Sequence, residues 1–172
     1  AEQLANAGIP FEVVPGVSSF VAVPNFAGVP LTHREFASQL TLLAGPPDAA
    51  NGAAGHDWAH VASAPGTKVI QLGADGIAPI AEKLVGHGLA KDTPVAIITG
   101  GVSGRQQSVV GTLATIAKLA AREKLSSPAL AVVGGVVKLR EKLNWYERRR
   151  LYGQRIVVTR AREQASELSR RL

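Results

Sequence analysis

Short apolar runs bounded by glycine or proline alternate with stretches in which apolar residues recur every three or four positions. The short runs are typical of strands and the longer spacing is typical of helices. The pattern predicts strands at residues 11–14, 39–43, 68–72, 95–98, 130–133 and 155–159. It predicts helices at residues 17–26, 76–85, 112–124 and 136–142, with Thr112 as an N-cap and the first helix buried on nearly every side. This alternation favours an α/β fold whose sheet is parallel in large part.

The first predicted strand leads into the most informative segment, Val13-Val14-Pro15-Gly16-Val17-Ser18-Ser19. The chain turns at Pro-Gly, and two hydroxyl residues then stand at the start of a helix that ends at Gly28. Free amides at the start of a helix, with serine hydroxyls beside them, suit a polar ligand. A purely structural turn between strand and helix explains the same residues equally well.

Three further positions are candidate ligand contacts. Arg34 does not face its neighbour Glu35, so its guanidinium is available to a carboxylate, although an ordinary surface arginine fits as well. The glycine-rich run 98–104 follows a strand, where ligands usually bind in α/β sheets, but it lacks the spacing of a dinucleotide or phosphate loop. Asp75 is a candidate general base, while capping of the helix that begins at Gly76 is the simpler interpretation.

Composition excludes several kinds of site. The 172 residues contain no cysteine, which excludes disulfides, thiolate metal sites and a cysteine nucleophile, and which fits a cytoplasmic protein. Of the four histidines only His56 and His60 lie close in sequence, so no metal site is predicted. No apolar run approaches the roughly 18 residues of a membrane span. No serine stands in a nucleophile-elbow motif, and no pair of carboxylates shares a segment, as hydrolases would require. Neither a membrane association nor a hydrolase is therefore expected.

The net charge of +6 is concentrated in the last part of the chain. Residues 136–172 carry eleven Lys and Arg against four Asp and Glu, whereas residues 1–135 carry eight against nine. Nucleic-acid binders more often spread basic residues over a face with aromatic residues between them, and aromatic residues are scarce here. We therefore expect no nucleic-acid partner and a solvated linker at residues 143–153.

A flexible surface loop is predicted at residues 46–55. Both chain ends fall within helical patterns, as in a fragment of a longer protein.

Four segments together resemble the uroporphyrinogen-III C-methyltransferases of the tetrapyrrole methylase family. They are residues 13–19, 27–34, 109–116 and 142–146, and the resemblance extends over residues 1–146, roughly the second half of such an enzyme. It implies a two-lobed fold with a mixed sheet flanked by helices. Residues 1–33 would then finish the first lobe, 34–146 would form the second lobe, and 147–153 would be a linker. Residues 151–168 resemble the first strand and helix of uroporphyrinogen-III synthases, so residues 154–172 would start a fused synthase domain.

The resemblance also implies a cofactor, a substrate and a reaction. The implied cofactor is S-adenosylmethionine, held by Ser18, Ser19, Leu72 and Gly101. Arg34 matches the arginine that binds a carboxylate of the substrate, uroporphyrinogen III. The implied reaction methylates C2 and C7 of that macrocycle to give precorrin-2, on the route to sirohaem and cobalamin, in a cytoplasmic homodimer.

Several of these positions depart from the family pattern. Leu72 stands where methionine is usual and Ser18 where threonine is usual, and each replacement keeps the character of the side chain. Thr99 and Gly100 stand where a polar or acidic residue and a larger side chain are common. The family's first lobe, with its acid/base residues, has no counterpart here, so no catalytic residue is assigned and we expect no methylation by this chain alone. The alternatives are a non-catalytic dimerisation module and part of a bifunctional protein known for its synthase activity.

Overall fold

The computed structural model describes residues 1–44, 55–73, 76–125, 127–159 and 170. Its centre is a five-stranded mixed sheet in the order β1-β2-β5-β3-β4. The strands are β1 Leu40–Leu43, β2 Thr67–Leu72, β3 Pro94–Thr99, β4 Gln107–Thr112 and β5 Ala129–Val133. The helices are α1 Glu2–Asn6, α2 Ser19–Phe26, α3 Trp58–Ser63, α4 Ala78–Gly86, α5 Ile116–Arg122 and α6 Arg140–Leu143, with a 3-10 helix at Gly135–Leu139.

Both faces of the sheet are covered, which explains why its central strands are nearly continuous apolar runs. Successive side chains of a strand point to opposite faces. Ile70 and Ile97 therefore join an apolar cluster with α3, α4 and α5 on one face. Val69 and Ile98 join a second cluster with the end of α2 and the 3-10 helix on the other face. No helix of the described residues has the length and apolar character needed to cross a bilayer.

The sheet is mixed, and the expectation that it is parallel in large part is wrong. Of the four strand pairs only β1–β2 is parallel, while β2–β5, β5–β3 and β3–β4 are antiparallel. The reason is that β5 returns between β2 and β3. Strand β4 also escaped prediction, because none of its six residues is buried and its sequence lacks a clear apolar run. The implied mixed sheet flanked by helices is confirmed.

The other strands of the sheet and two helices were predicted close to their observed bounds. The predictions at 39–43, 68–72, 95–98 and 130–133 correspond to β1, β2, β3 and β5, and those at 76–85 and 17–26 correspond to α4 and α2. The prediction at 136–142 corresponds to the 3-10 helix followed by α6. Helix α3 was not predicted, although Asp57 caps it by accepting a hydrogen bond of 3.0 Å from the His60 amide.

Helix α5 is shorter than predicted, and Thr112 is not its N-cap. Thr112 is the last residue of β4, and Thr115 is the N-cap of α5. The Thr115 Oγ1 atom accepts a hydrogen bond of 3.0 Å from the Thr112 amide. These threonines therefore stabilise the turn that separates the strand from the helix.

The predicted strands at residues 11–14 and 155–159 do not form. A strand needs a hydrogen-bonded neighbour, and no described strand pairs with either segment. Val14 is consequently 86% exposed and Val157 is 78% exposed. Helix α2, which follows the first segment, is buried on one side only, because Val21 is exposed while Val23 is buried. The expectation of a helix buried on nearly every side is therefore wrong.

The segment predicted as a solvated linker packs against the domain. The Tyr152 hydroxyl donates a hydrogen bond to the Gln106 carbonyl, and the Arg149 guanidinium lies 4.4 Å from the centroid of the Trp145 ring. Residues 143–153 are therefore partly ordered by contacts with the loop before β4. The predicted loop at 46–55, except Gly55, lies outside the described residues, as do Asp75 and most of the predicted synthase helix.

Candidate functional site

A cleft of about 460 Å³ opens at the edge of the sheet where β2 and β3 end and β5 begins. The strand register forms this edge, because Ala129 of β5 pairs with both Leu72 and Thr99. The cleft is lined by Ser19 and Val23 of α2, Gln71, Ile98, Gly100, Gly101, Ser103, Arg105, Pro128, Ala129 and Leu130. Apolar side chains from the sheet and α2 are thus combined with hydroxyl, amide and guanidinium groups.

The start of α2 provides hydrogen-bond donors at one side of this cleft. Ser18 is the N-cap, and its hydroxyl accepts a hydrogen bond of 3.3 Å from the Phe20 amide. Ser19 is the first helical residue and lines the cleft, and neither its amide nor its hydroxyl has a hydrogen-bond partner among the described residues. The predicted helix with two serines at its start is confirmed, whereas no turn or bend is assigned at Pro15-Gly16. Ser19 therefore offers two unused donors to a ligand.

The glycine-rich loop between β3 and β4 forms the opposite wall. Gly100 has φ +56, and its carbonyl accepts a hydrogen bond of 2.7 Å from the Ser103 hydroxyl. The same hydroxyl accepts a bond of 3.1 Å from the Arg105 amide. Val102 has φ +64, a conformation that is rare for a β-branched residue. The loop is thus held in an unusual shape by its own polar groups.

Gly101 brings this wall into contact with α2. A Cβ atom on Gly101 would lie 2.4 Å from a γ-methyl carbon of Val23. No larger residue fits at this position unless α2 or the loop shifts. The helix that carries Ser19 and the loop that carries Gly101 therefore pack as one unit.

The structure places Ser19 and Gly101 in the cleft, but it places Leu72 elsewhere. Leu72 belongs to the apolar cluster on the other face of the sheet and lines a separate cavity of about 70 Å³ with Ile77 and Ile97. Gln71 lines the cleft in its stead, because neighbouring residues of a strand point to opposite faces. Ser18 does not line the cleft either, since its hydroxyl is used as the helix cap.

Arg34 also lies outside the residues that line this cleft. It occupies a tight turn in which the His33 amide donates a hydrogen bond of 2.8 Å to the Ala37 carbonyl. Its side chain is exposed and has no ion-pair partner in the described part of the chain. The guanidinium is therefore available, as predicted, but the structure does not bring it together with Ser19 and Gly101.

Sequence reasoning missed two polar residues of the cleft. Gln71 immediately precedes Leu72 on β2, and Arg105 immediately follows the glycine-rich run. The Arg105 guanidinium has no ion-pair partner in the ranges that the structure describes. Its position directly after the loop was the available signal, and its exposure beside the cleft suits a ligand carboxylate. Among the described residues no group of three or more His, Asp or Glu could hold a metal ion.

A family model for Tetrapyrrole (Corrin/Porphyrin) Methylases matches residues 1–117. An S-adenosyl-L-methionine-dependent uroporphyrinogen III methyltransferase of Methanosarcina barkeri is 47% identical over 143 residues, which are 83% of this chain and 56% of that protein. A siroheme synthase of Thiobacillus denitrificans is 41% identical over 84% of this chain and 30% of its own length. The chain thus spans only part of the relatives that it matches.

Solved structures show the same fold. A uroporphyrin-III C-methyl transferase from Thermus thermophilus, crystallised with S-adenyl homocysteine, matches with a TM-score of 0.65 and 29% identity. The match covers 79% of this chain and 57% of that one. A cobalt precorrin-4 methyltransferase matches with a TM-score of 0.66 at 19% identity, which supports the fold alone.

Proposed function

The chain belongs to the tetrapyrrole (corrin/porphyrin) methylase family, and from that premise we propose that it is part of an S-adenosylmethionine-dependent uroporphyrinogen III methyltransferase. The proposed reaction methylates C2 and C7 of the macrocycle and yields precorrin-2, which feeds sirohaem and cobalamin synthesis in the cytoplasm. The observation that carries the proposal is the cleft in which Ser19 and Gly101 meet at the edge of the sheet. It occurs in a chain that is 47% identical to a uroporphyrinogen III methyltransferase.

The residues of the cleft fit S-adenosylmethionine. A volume of about 460 Å³ falls within the roughly 300–1,000 Å³ of small-molecule sites. Val23, Ile98 and Leu130 would give the cofactor an apolar floor, and Ser19 would supply unused donors. Arg105 is the cation of this cleft and suits the carboxylate of the methionine part. The cleft therefore combines apolar and charged groups, as S-adenosylmethionine does.

The chain's own contribution to the reaction is alignment. When bound, S-adenosylmethionine supplies an electrophilic methyl group on a sulfonium, which an electron-rich pyrrole carbon accepts. Ser19 and Gly101 orient the cofactor, and the apolar floor keeps water away from it. None of the described residues that line the cleft is a carboxylate or a histidine, so no described residue of the cleft is assigned to removing the proton.

Arg34 is proposed to hold the substrate. Uroporphyrinogen III carries eight carboxylates, and an exposed guanidinium without an ion-pair partner in the described residues can bind one of them in bidentate fashion. The residues lining the cleft do not include Arg34, which is consistent with separate contacts for cofactor and substrate. We propose that Ser18 and Leu72 support the cofactor site indirectly, Ser18 by capping α2 and Leu72 by packing behind β2.

The cofactor part of the proposal is tested by titrating the chain with S-adenosylhomocysteine in a calorimeter. We expect binding at one site, and loss of that binding in Ser19→Phe, which fills the rim of the cleft. Ser38→Phe is the matched control, because Ser38 is exposed and does not line the cleft, and it should bind as the unaltered chain does. A folded chain that releases no heat with the ligand contradicts the proposed cofactor site.

The methylation part needs a second experiment, because the chain spans 56% of its Methanosarcina barkeri relative. We expect the chain alone to produce no precorrin-2 from uroporphyrinogen III and S-adenosylmethionine. A chimera with the part of that relative that the chain does not cover should produce it. In the chimera Arg34→Gln should raise the KM for uroporphyrinogen III and leave the affinity for S-adenosylhomocysteine unchanged. A chimera that binds cofactor but accepts a different substrate overturns the proposed activity.

Exposed apolar side chains favour a second role in association. Val13, Val14 and Val17 are 76%, 86% and 80% exposed in one continuous segment, and contact with another protein surface is one of the roles of exposed apolar patches. We propose homodimerisation through a surface that includes this segment. Sedimentation tests it, because a dimer that Val14→Asp dissociates is expected. A stable dimer without affinity for S-adenosylhomocysteine would favour a non-catalytic assembly module.

We also propose that residues 154–172 begin a uroporphyrinogen-III synthase domain. The support is the resemblance of residues 151–168 together with the exposed Ile156 and Val157, which no described strand pairs with. The test is the coding sequence downstream of Leu172. A reading frame that ends there, or that continues into another kind of domain, overturns this proposal.

A further inference from the structure

Glu147 is the centre of a half-buried polar cluster behind the glycine-rich loop. Its Oε1 atom accepts hydrogen bonds of 2.8 Å from Gln106 Nε2 and 2.6 Å from the Ser108 hydroxyl. Its Oε2 atom pairs with the Arg140 guanidinium, and only 15% of the Glu147 side chain is exposed. All three of these partners donate hydrogen bonds. The side chain at position 147 must therefore accept hydrogen bonds at both of its terminal atoms, as a carboxylate does.

Gln106 connects this cluster to the cleft loop. Gln106 is 3% exposed, and its Oε1 atom accepts a hydrogen bond of 3.0 Å from the Val102 amide. A carboxylate only accepts hydrogen bonds, so it fixes which end of the Gln106 amide faces Glu147. The oxygen of that amide must then face Val102. The orientation of one side chain is thus set by the charge of the other.

Packing does little to hold Val102 itself, so the backbone of this residue depends on the bond. Val102 has φ +64, which is unfavourable for a β-branched residue, and its side chain is 42% exposed. The neighbouring Gly100 and Gly101 line the cleft. A hydrogen bond from the Val102 amide into the protein therefore opposes the tendency of this residue to leave the left-handed region.

We propose that Glu147 is a positioning residue which, acting through Gln106, holds the Val102 amide and so fixes the cleft wall at Gly100 and Gly101. Glu147 lies beyond residue 117, where the family match ends. Tyr152 strengthens the connection, because its hydroxyl donates to the Gln106 carbonyl. The role of the wall in ligand binding rests on the proposed function, whereas the effect on Val102 does not depend on it.

Glu147→Gln is the decisive variant, because a glutamine has one acceptor and one donor at its end. If its oxygen serves Gln106, its amino group faces the Arg140 donors. If its oxygen serves Arg140, its amino group faces Gln106, whose amide must flip and present hydrogens to the Val102 amide. The second arrangement is the expected one, because the charged donors of Arg140 bind the single oxygen more strongly than the neutral donors of Gln106 and Ser108 do. Glu82→Gln is the matched control, because Glu82 is exposed on α4 and far from this cluster in the fold.

Amide hydrogen exchange followed by NMR tests the positioning itself. In Glu147→Gln we expect the Val102 amide to exchange at least about tenfold faster, while the Ile97 amide in β3 changes by less than about threefold. The double variant Glu147→Gln/Gln106→Glu returns a carboxylate to the pair and should restore slow exchange at Val102. Equal acceleration at Val102 and Ile97 would mean that Glu147 merely stabilises the fold, and it overturns the proposal, as does an unchanged Val102.

Two further measurements keep the test decisive. If Glu147→Gln does not fold, Tyr152→Phe removes the hydroxyl that donates to the Gln106 carbonyl, and it should accelerate exchange at Val102 and not at Ile97.

The folded variants are also titrated with S-adenosylhomocysteine. Glu147→Gln should bind this ligand at least about fivefold more weakly than either the unaltered chain or Glu82→Gln does. Unchanged affinity would refute the role of the loop as a ligand wall. Absence of binding by the unaltered chain refutes the proposed function, and the exchange data still decide whether Glu147 positions Val102.

Discussion

A Cβ atom on Gly28 would lie 2.5 Å from the backbone oxygen of Leu143, so the turn that ends α2 is in direct backbone contact with the end of α6. Gly28 also has φ +72, a conformation that glycine adopts without strain. The aromatic residues next to Leu143 extend this contact, because the Phe26 ring lies 5.3 Å from the Trp145 ring and 4.8 Å from the Tyr146 ring, measured between centroids. The segment after α6 thus holds the helix that carries Ser19.

Gly28→Ala is expected to lower the free energy of unfolding by about 2–4 kcal/mol, because the new methyl group meets backbone and the residue is held at positive φ. Urea unfolding followed by circular dichroism measures the change. Gly86→Ala is the control, since a Cβ built at Gly86 in α4 meets no atom within 4 Å outside its chain neighbours and its own helix backbone. That variant should equal or exceed the stability of the unaltered chain, and equal losses in both variants would contradict the contact.

Arg140 is expected to matter far more for stability than Arg122, although each pairs with a glutamate. The side chains of Arg140 and Glu147 are 11% and 15% exposed, whereas those of Arg122 and Glu123 are 72% and 47% exposed. Arg140→Met should cost about 3 kcal/mol, because it leaves the Glu147 carboxylate largely buried without its cation. Arg122→Met should cost less than about 0.5 kcal/mol. Denaturant midpoints of the two variants decide this, and similar midpoints would refute it.

The stability of the protein should depend on pH through Glu147. Burial raises the pKa of the Glu147 carboxyl, but the hydrogen bonds from its three donors and the charge of Arg140 outweigh burial, and the pKa lies below its usual 4.5. The unfolded chain therefore takes up this proton at higher pH than the folded chain does. The stabilisation is complete above pH 4.5 and is lost as the pH falls through the lowered pKa.

The free energy of unfolding in urea, measured from about pH 6 to about pH 3, should thus fall less steeply in Glu147→Gln than in the unaltered chain. Glu82→Gln serves as the control for the loss of one negative charge, because Glu82 is exposed on α4 and has no hydrogen-bond partner among the described residues. Parallel curves for Glu147→Gln and the unaltered chain would show that Glu147 titrates alike in the folded and unfolded states.

Alanine substitutions of the two serines at the start of α2 should have different effects, one on stability and the other on ligand binding. Ser18→Ala removes the cap that accepts a hydrogen bond from the Phe20 amide, and it should lower the free energy of unfolding by about 1 kcal/mol. Ser19→Ala should leave stability within about 0.5 kcal/mol and weaken S-adenosylhomocysteine binding about fivefold, because only a donor to the ligand is lost. Thermal unfolding and calorimetric titration of both variants measure this. The reverse pattern would assign the cap to Ser19.

Gly101 and Val23 should show a compensating effect. Gly101→Ala places a methyl group within 2.4 Å of Val23, and we expect a loss of stability and of S-adenosylhomocysteine affinity. Val23→Ala in the same chain makes room and should recover part of both losses. Gly104→Ala is the control, since nothing lies within 4 Å of a Cβ at Gly104. Additive losses in the double variant would contradict direct packing between the loop and α2.

The elements with strong local patterns were predictable from the amino-acid sequence. Continuous apolar runs indicated β2, β3 and β5, because these strands are buried on both faces. The two serines indicated the start of α2, and Gly28 indicated its end. The glycine-rich loop and Ser19 are likewise indicated by residues next to them in the sequence. Each of these signals is local, since neighbouring residues along the chain are enough to produce it.

What only the tertiary structure decided concerns contacts between distant segments. The sequence did not indicate that β5 lies between β2 and β3, because strand order depends on pairing across the sheet rather than on any single run. The resemblance assigned Leu72 to the cofactor, and only the structure shows that the Leu72 side chain joins the apolar cluster on the other face while Gln71 lines the cleft. Glu147 looked like part of a solvated linker, because a carboxylate acquires its role from donors some 40 residues away, and only folding brings Gln106 and Ser108 to it.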